Sequence, residues 1–349
     1  MVFVKIIFTL VCFFLFSNFS FSIDTIDLKT KPHHTSEGFK NPFNNLEEKN
    51  FSDMIKWRFF ERDGKKQQQS IKETYLETIA NDGKKIRDNN SLFSITWVGH
   101  DTMVVQLDGV NILTDPIWSV CASPVSFAGP ERYVLPTLAM ENLPVIDVVL
   151  ISHNHYDHMD EATIKKLGNS PLYIVPLGLG KILSEFGIDH FIELDWLDEY
   201  YYKNIRFVCM PAQHFSMRSL FDKNETLWGG WAAFGKKESF YFMGDTGYFN
   251  YIKKLGEVYG PFTVIMAPVG AYKPEWFMSS MHTNPEEAIQ SFLDLHGDYF
   301  LPIHWKTFPM ADDTPEETKI DLEKAIKKHN IEAHKILMLH HGETRFLTK

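Results

Sequence analysis

The rhythm of apolar and polar residues changes near position 92. From Leu92 the chain alternates in short runs, "LFSITWVG" and then "MVVQLDGVNILTDP", with Asp108-Gly109 between two apolar alternations as a hairpin signal. Further apolar runs of strand length lie at 145–152, 172–176, 205–210, 227–234, 239–243, 262–267, 299–303 and 335–339. Helical spacing recurs between them at 160–167, 178–186, 284–295 and 315–328. Asn284 followed by Pro285, Glu286 and Glu287 reads as a capped helix start. Hairpins mixed with crossing helices predict an α/β fold: two sheets face to face with helices outside, a four-layer αββα sandwich.

Before residue 91 the pattern is different. Lys5, the apolar run 6–16 and the small residues of "SNFSFS" follow the order of an export signal over 1–22, with an uncleaved anchor as the alternative. Residues 23–90 are polar and poor in strand signals, with helices expected over 52–61 and 70–79. The first of these carries Met54, Ile55, Trp57, Phe59 and Phe60, which suit packing on the core or, as a sharper reading, facing lipid. Residues 91–349 then read as one domain.

Composition narrows the class. A 349-residue chain with 44% hydrophobic residues and 29 phenylalanines can bury a large core. The net charge of −10 and the scattering of lysines as isolated pairs argue against a nucleic-acid groove. Beyond the signal-like segment only Cys121 and Cys209 remain. They lack the spacing of a thiolate zinc site and read as core thiols, with a pairing left open.

The chemistry sits in "LISHNHYDHMD". His153 and His155 lie two apart, so an extended chain turns both to one side. Asp157 and His158 follow where the chain bends toward a helix, and so face a neighbouring point. His214, Asp245 and His304 each come just after a predicted strand, where neighbouring strand ends share one sheet edge. Imidazole and carboxylate without thiolate suit catalytic zinc or a related divalent ion. Seven such groups exceed what a single zinc takes. A workable partition places His153, His155 and His214 on one ion and Asp157, His158 and His304 on a second, with Asp245 bridging. Two ions would activate a water and polarise an electrophile, which serves carboxyl or phosphate esters alike.

HxHxDH with later His, Asp and His resembles the metallo-β-lactamase superfamily. The segments "TWVGHDTMVVQLDGVNILTDPIWS", "LWGGWA", "GDTGYF", "PVGAYKPEWFM", "HTNPEEA", "IHWKTF" and "HGETRFL" together resemble the N-acylphosphatidylethanolamine-hydrolysing phospholipase D family, from about Phe39 to the C-terminus except for Gln67–Asn90. That resemblance implies a metallo-β-lactamase-like αββα sandwich and two zinc ions on the seven ligands named above. It further implies attack of metal-bound hydroxide on phosphorus, giving phosphatidate and an N-acylethanolamine. The expected partners are a phospholipid substrate and a membrane surface, with a second copy of the chain left open and no nucleic acid. The expected location is exported and membrane-associated. Asp157, His282 and Tyr156 are the candidate catalytic residues, and Tyr156, Arg218, His282, Tyr272 and Trp276 the candidate substrate contacts.

The chain departs from the family pattern at Met281, where a glutamine is expected, at Asp101, where a small residue is, and at Phe215, where a tryptophan is. His100 and Asp115 are candidate outer partners of the ligands. Trp228, Trp231 and Phe277 suit the aromatic core better than an acyl pocket, and His340-His341 read as structural. The rival readings are a hydrolase of another ester (lactone, β-lactam or other phosphodiester) and a non-catalytic zinc- or lipid-binding module.

Overall fold

Successive residues of a strand point to opposite faces of its sheet. In β4 (Val148–Leu150) this splits one run between two cores: Val148 and Leu150 join the larger cluster, Val149 and the following Ile151 the smaller. The strand is buried on both faces, which explains its unbroken apolar sequence. The computed structural model describes residues 26–43, 49, 51–62 and 76–347, so the expected signal segment and most of the helix expected over 70–79 lie outside it.

The first sheet takes β1 (Ser94–Gly99), β2 (Thr102–Leu107), β3 (Val110–Thr114), β4, β5 (Leu172–Pro176) and β6 (Phe191–Leu194). The second takes β7 (Glu199–Tyr202), β8 (Ile205–Met210), β9 (Gly230–Phe234), β10 (Ser239–Phe242), β11 (Phe262–Pro268) and β12 (Gly297–Ile303). Last, β13 (Thr344–Phe346) returns to the first sheet beside β1. The spatial orders are β13-β1-β2-β3-β4-β5-β6 and β12-β11-β10-β9-β8-β7. Each sheet begins antiparallel and ends parallel: β3 to β6 run parallel in one, β10 to β12 in the other. Parallel neighbours need crossovers. Helices Glu161–Leu167, Leu179–Glu185, Tyr251–Tyr259 and Pro285–Asp294 supply four of the five, and a long irregular segment with one 3-10 turn, Met140–Asn142, joins β3 to β4.

The larger core lies between the sheets, where Trp97, Val105, Phe207, Trp231, Phe240 and Phe242 meet. The smaller, with Val104, Val149, Ile164, Tyr173 and Leu183, lies under the helices that cover the first sheet. This is the four-layer αββα sandwich. Helix Pro285–Asp294 starts with a capping box between Asn284 and Glu287, as its sequence predicts.

Some expectations change. The run at 335–339 is no strand: a short 3-10 turn, Ala333–Lys335, leads to a single bridge between Ile336 and Phe300. Residues 76–79 are not helical, and Thr78 bridges His341. Strands β6, β7 and β13 and helix Tyr251–Tyr259 are additions, the three strands being short and partly exposed and therefore weak in apolar contrast. Cys121 and Cys209 are both free thiols.

The N-terminal residues are tied to the core. Leu28 and Phe43 are part of the larger cluster. His33 Nε2, His34 Nε2 and Lys31 Nζ converge on Asp195 at 2.7, 2.9 and 2.8 Å. The helix expected over 52–61 is an α-helical turn, Phe51–Lys56, running into a π-type turn, Trp57–Glu61. Trp57 is buried, while Phe59 and Phe60 are 72% and 81% exposed. No helix among the described residues is long and apolar enough to cross a membrane.

Candidate metal centre

Strands β4, β8, β10 and β12 deliver their polar side chains just past their ends: His153 to His158 after β4, His214 after β8, Asp245 after β10 and His304 after β12. All are buried except the half-buried His155. His153 Nε2 lies 2.8 Å from His155 Nδ1, and His214 Nε2 lies 3.4 Å from that same Nδ1. Asp245 Oδ2 closes this group at 3.9 Å from His153 Nε2 and 3.6 Å from His214 Nε2. Next to it, Asp157 Oδ2 lies 3.2 Å from His158 Nε2 and 3.5 Å from His304 Nε2. Asp245 reaches this second group too, at 3.3 Å from His158 Nε2 and 3.1 Å from His304 Nε2.

The His155 contacts are within hydrogen-bond geometry, but those in the second group are not. His158 Nε2, His304 Nε2 and Asp245 Oδ1 are buried with no hydrogen-bond partner, although their neighbours stand about as close as a bond requires. Nitrogen and oxygen atoms that converge without pairing are placed for a cation that each can ligate. The donor set, imidazole and carboxylate, fits zinc or a similar divalent ion.

Electrostatics point the same way. Burial, with the neighbouring imidazoles adding to it, holds His153 well below the usual histidine range and His155 at about 3. Burial likewise lowers His214 to about 4. His158 and His304 go the other way, His304 to about 10: burial opposes a charge there, but Asp245 and Asp157 overcome it. The two carboxylates stay ionised well below their usual range despite burial, held by His158 and, for Asp245, by His304 first. The same negative field that gathers protons here favours a divalent cation in their place.

Outer partners orient the ligands. Asp115 Oδ2 accepts from His158 Nδ1 at 2.7 Å, and Asp115 is itself fixed by Ser152 N at 2.7 Å and Ser152 Oγ at 2.5 Å. His100 Nε2 lies 3.0 Å from Asp157 Oδ2, and burial lowers His100 to about 3. The carbonyl of Met281 faces His214 Nδ1 at 2.9 Å. His100, Asp115 and His304 all take left-handed backbone, with φ of 54°, 32° and 59°, the kind of local strain that clusters where side chains must be aimed. Asp101 is fully buried 3.8 Å from His158 Nδ1, neither oxygen has a hydrogen-bond partner, and burial pushes it up to about 8.

A cavity of about 420 Å³ opens onto the ligands. His155, Asp157, His214, Asp245, His282 and His304 are in its lining. Phe215, Phe277, Met217, Met278, Met281 and Met310 make the wall largely apolar. His282 is buried, with Nδ1 unpartnered and 3.9 Å from Asp245 Oδ2.

Four expected substrate contacts lie elsewhere. Arg218 spends its guanidinium on the carbonyls of Asn154 and Met159, at 2.7 and 2.9 Å, and stacks on Tyr156. The Tyr156 hydroxyl donates to Arg218 O at 3.0 Å, so neither side chain lines the cavity and the two brace the ligand loop instead. Tyr272 is buried and bonded to Asp321, and Trp276 lies under Lys56; both are outside the wall. Trp228 and Trp231 are core residues. His341 stacks on Trp97 and bonds Thr307, and His340 faces Glu77. Sequence reasoning missed Asn41 and Gln213, both in the wall. Gln213 precedes a ligand histidine, and Asn41 lies in "FKNPF", which were the available signals.

Two facing mixed sheets whose strand ends gather these ligands define a metal-dependent hydrolase of the metallo-β-lactamase fold. The Beta-lactamase superfamily domain model matches residues 110–305, more than half of the chain. The chain is similar to N-acyl-phosphatidylethanolamine-hydrolyzing phospholipase D 1 of Caenorhabditis elegans, 40% identical over 269 residues covering 69% of this chain and 75% of that protein. It is also similar to the mitochondrial N-acyl-phosphatidylethanolamine-hydrolyzing phospholipase D of Saccharomyces cerevisiae, 32% identical over 65% of this chain and 50% of the relative. In backbone it is similar to Igni18, a metallo hydrolase of Ignicoccus hospitalis, with a TM-score of 0.55 and 24% identity over 74% of this chain and 100% of that one. The chain belongs to the N-acylphosphatidylethanolamine-hydrolysing phospholipase D family of the beta-lactamase superfamily.

Proposed function

We propose that this enzyme is a dinuclear zinc phosphodiesterase that cuts N-acylphosphatidylethanolamine into phosphatidate and an N-acylethanolamine. The observation that carries this reading is a pair of ligand groups sharing Asp245 in the wall of a largely apolar cavity. His153, His155 and His214 would hold one ion and Asp157, His158 and His304 the other, with Asp245 common to both. Bound there, the ions supply Lewis acidity toward a phosphoryl oxygen and lower the pKa of a water.

The chain's own residues do the positioning. Asp115 and His100 keep His158 and Asp157 aimed inward. Burial keeps His282 neutral at physiological pH, so it retains one ring N–H with which to hold a phosphoryl oxygen. The methionines and phenylalanines of the wall exclude water and accept an acyl chain, thioethers adapting readily to bent chains.

A membrane surface is the natural source of such a substrate. Leu220 lines the cavity and is 71% exposed, and its neighbour Phe221 is 90% exposed. Trp57, also in the wall, is followed by the exposed Phe59 and Phe60. Exposed apolar side chains on this helical turn and on the 220–221 loop suit shallow insertion into lipid. Export rests on the sequence of residues 1–22 alone.

Zinc-loaded protein incubated with vesicles containing N-acylphosphatidylethanolamine should release N-acylethanolamine and phosphatidate, read by mass spectrometry. Turnover of lactones or β-lactams with intact phospholipid would move the activity to another ester, and two bound metals with no turnover would make the chain a binding module.

A further inference from the structure

A fourth carboxylate stands behind the second ligand group. Asp101 lies in the turn between β1 and β2, where Gly99 and His100 take positive φ of 143° and 54°. The turn is tied down on both sides: His100 N donates to Thr307 Oγ1 at 2.6 Å, and Asp101 O accepts from Thr114 Oγ1 at 2.6 Å. Thr102 Oγ1 donates to Asp115 O at 2.7 Å, so the same turn also holds Asp115. Both carboxyl groups are fully buried. Asp101 Oδ2 lies 3.8 Å from His158 Nδ1, too far for a hydrogen bond, and that nitrogen already donates to Asp115 at 2.7 Å. Neither Asp101 oxygen has a hydrogen-bond partner. The charges that act on it most are those of His304 and His158, both from the second ligand group, followed by Asp245 and Asp115.

A buried carboxyl group without a partner opposes folding. Asp157 and Asp245 face the imidazoles of His158 and His304, and Asp115 has His158 and Ser152. Asp101 has no such contact of its own. A nearby cation would relieve it without touching it, because attraction between unlike charges reaches across several ångströms in a buried site. The charges also match. With the ligand imidazoles neutral, Asp101, Asp115, Asp157 and Asp245 together balance two divalent ions. We infer that Asp101 is an outer carboxylate that raises the affinity of the Asp157, His158 and His304 group for a divalent cation, while destabilising the metal-free fold. The inference rests on the two-ion reading of the centre and is independent of the substrate.

The test measures zinc affinity and metal-free stability in the wild type, in Asp101→Asn, which keeps the shape, and in Asp101→Ala. Stepwise dissociation constants come from competition with a chromophoric chelator. Zinc anomalous scattering from crystals soaked at limiting zinc reads the occupancy of each ligand group. Asp101→Asn should weaken one of the two steps by about tenfold, the low end for an outer partner of a metal ligand. The lost occupancy should lie at Asp157, His158 and His304. The metal-free Tm should rise, since a buried amide costs less than a buried, unpaired carboxylate. A merely structural side chain gives the reverse, a lower metal-free Tm with no selective loss of zinc. Unchanged affinity of that group in Asp101→Asn overturns the inference, and so does a lower metal-free Tm. If Asp101→Asn does not fold, the same two readings on Asp101→Ala decide, and failure of both variants to fold overturns it. A wild type that binds only one zinc per chain removes the two-ion reading and this inference together.

Discussion

Asp115 holds His158 from behind: its Oδ2 lies 2.7 Å from His158 Nδ1, while His158 Nε2 faces Asp157 and Asp245. The carboxylate selects the tautomer with its proton on Nδ1 and leaves the Nε2 lone pair free for a cation. Asp115→Asn removes the charge and keeps the shape. Zinc affinity should fall by about 10- to 100-fold, read by competition with a chromophoric chelator, and unchanged affinity would strip Asp115 of its orienting role.

Asp245 contacts both ligand groups, so its loss should be felt by both. Asp245→Ala should lower bound metal and hydrolysis together, with metal per chain measured by plasma mass spectrometry. Full occupancy in this variant would show that no ion depends on the shared carboxylate.

His282 stands apart from that behaviour, because it faces the cavity and lies 3.9 Å from Asp245 without a hydrogen bond. His282→Ala should leave metal content unchanged and slow turnover by about 100-fold, the lower end of what a positioned proton-bearing group contributes. Loss of metal in parallel would make it a ligand.

Asp195 anchors the segment that brings Asn41 and Phe43 to the cavity, through His33, His34 and Lys31. Asp195→Ala should cost about 2 kcal/mol for the buried bonds it breaks. Residues 31–43 should exchange amide hydrogens faster, and KM should rise with kcat less affected. Unaltered exchange in that segment would show that the clamp is not what holds it.

Acid should destabilise the fold through its buried neutral histidines. His341, packed on Trp97, is lowered to about 3 by burial and by nearby Arg132 and Lys306, against 6.5 when unfolded. Below pH 6.5 the unfolded chain takes up a proton that the folded one refuses, so stability falls as pH drops from 6.5 toward 3. The slope approaches about 1.4 kcal/mol per pH unit for one such group. His341→Gln should flatten the decline of Tm between pH 7 and 5 relative to wild type, and equal slopes would remove His341 from the acid response.

Much of this was legible in the chain. The alternation in β1 to β3, the apolar runs of β4, β5, β8 and β11 and the capping box at Asn284 are local signals, each set by neighbours a few residues apart. Periodicity also turned His153 and His155 to one side, and strand ends marked His214, Asp245 and His304 as groups on a common edge. Distance along the chain does not report what a long side chain finally touches. Arg218 and Tyr156 read as substrate contacts by their closeness to ligands, yet they fold back onto the backbone and onto each other because two carbonyls of the ligand loop need donors.

The sequence by itself determined most of the elements, their layers and the residue types at the strand ends, because those follow from side-chain period and from the chemistry of imidazole and carboxylate. Only the closed pair of sheets decided which atoms meet. It set Asp245 between the two ligand groups and put Asp115 behind His158. Asp115 and His158 lie 43 positions apart in the chain and meet only through packing.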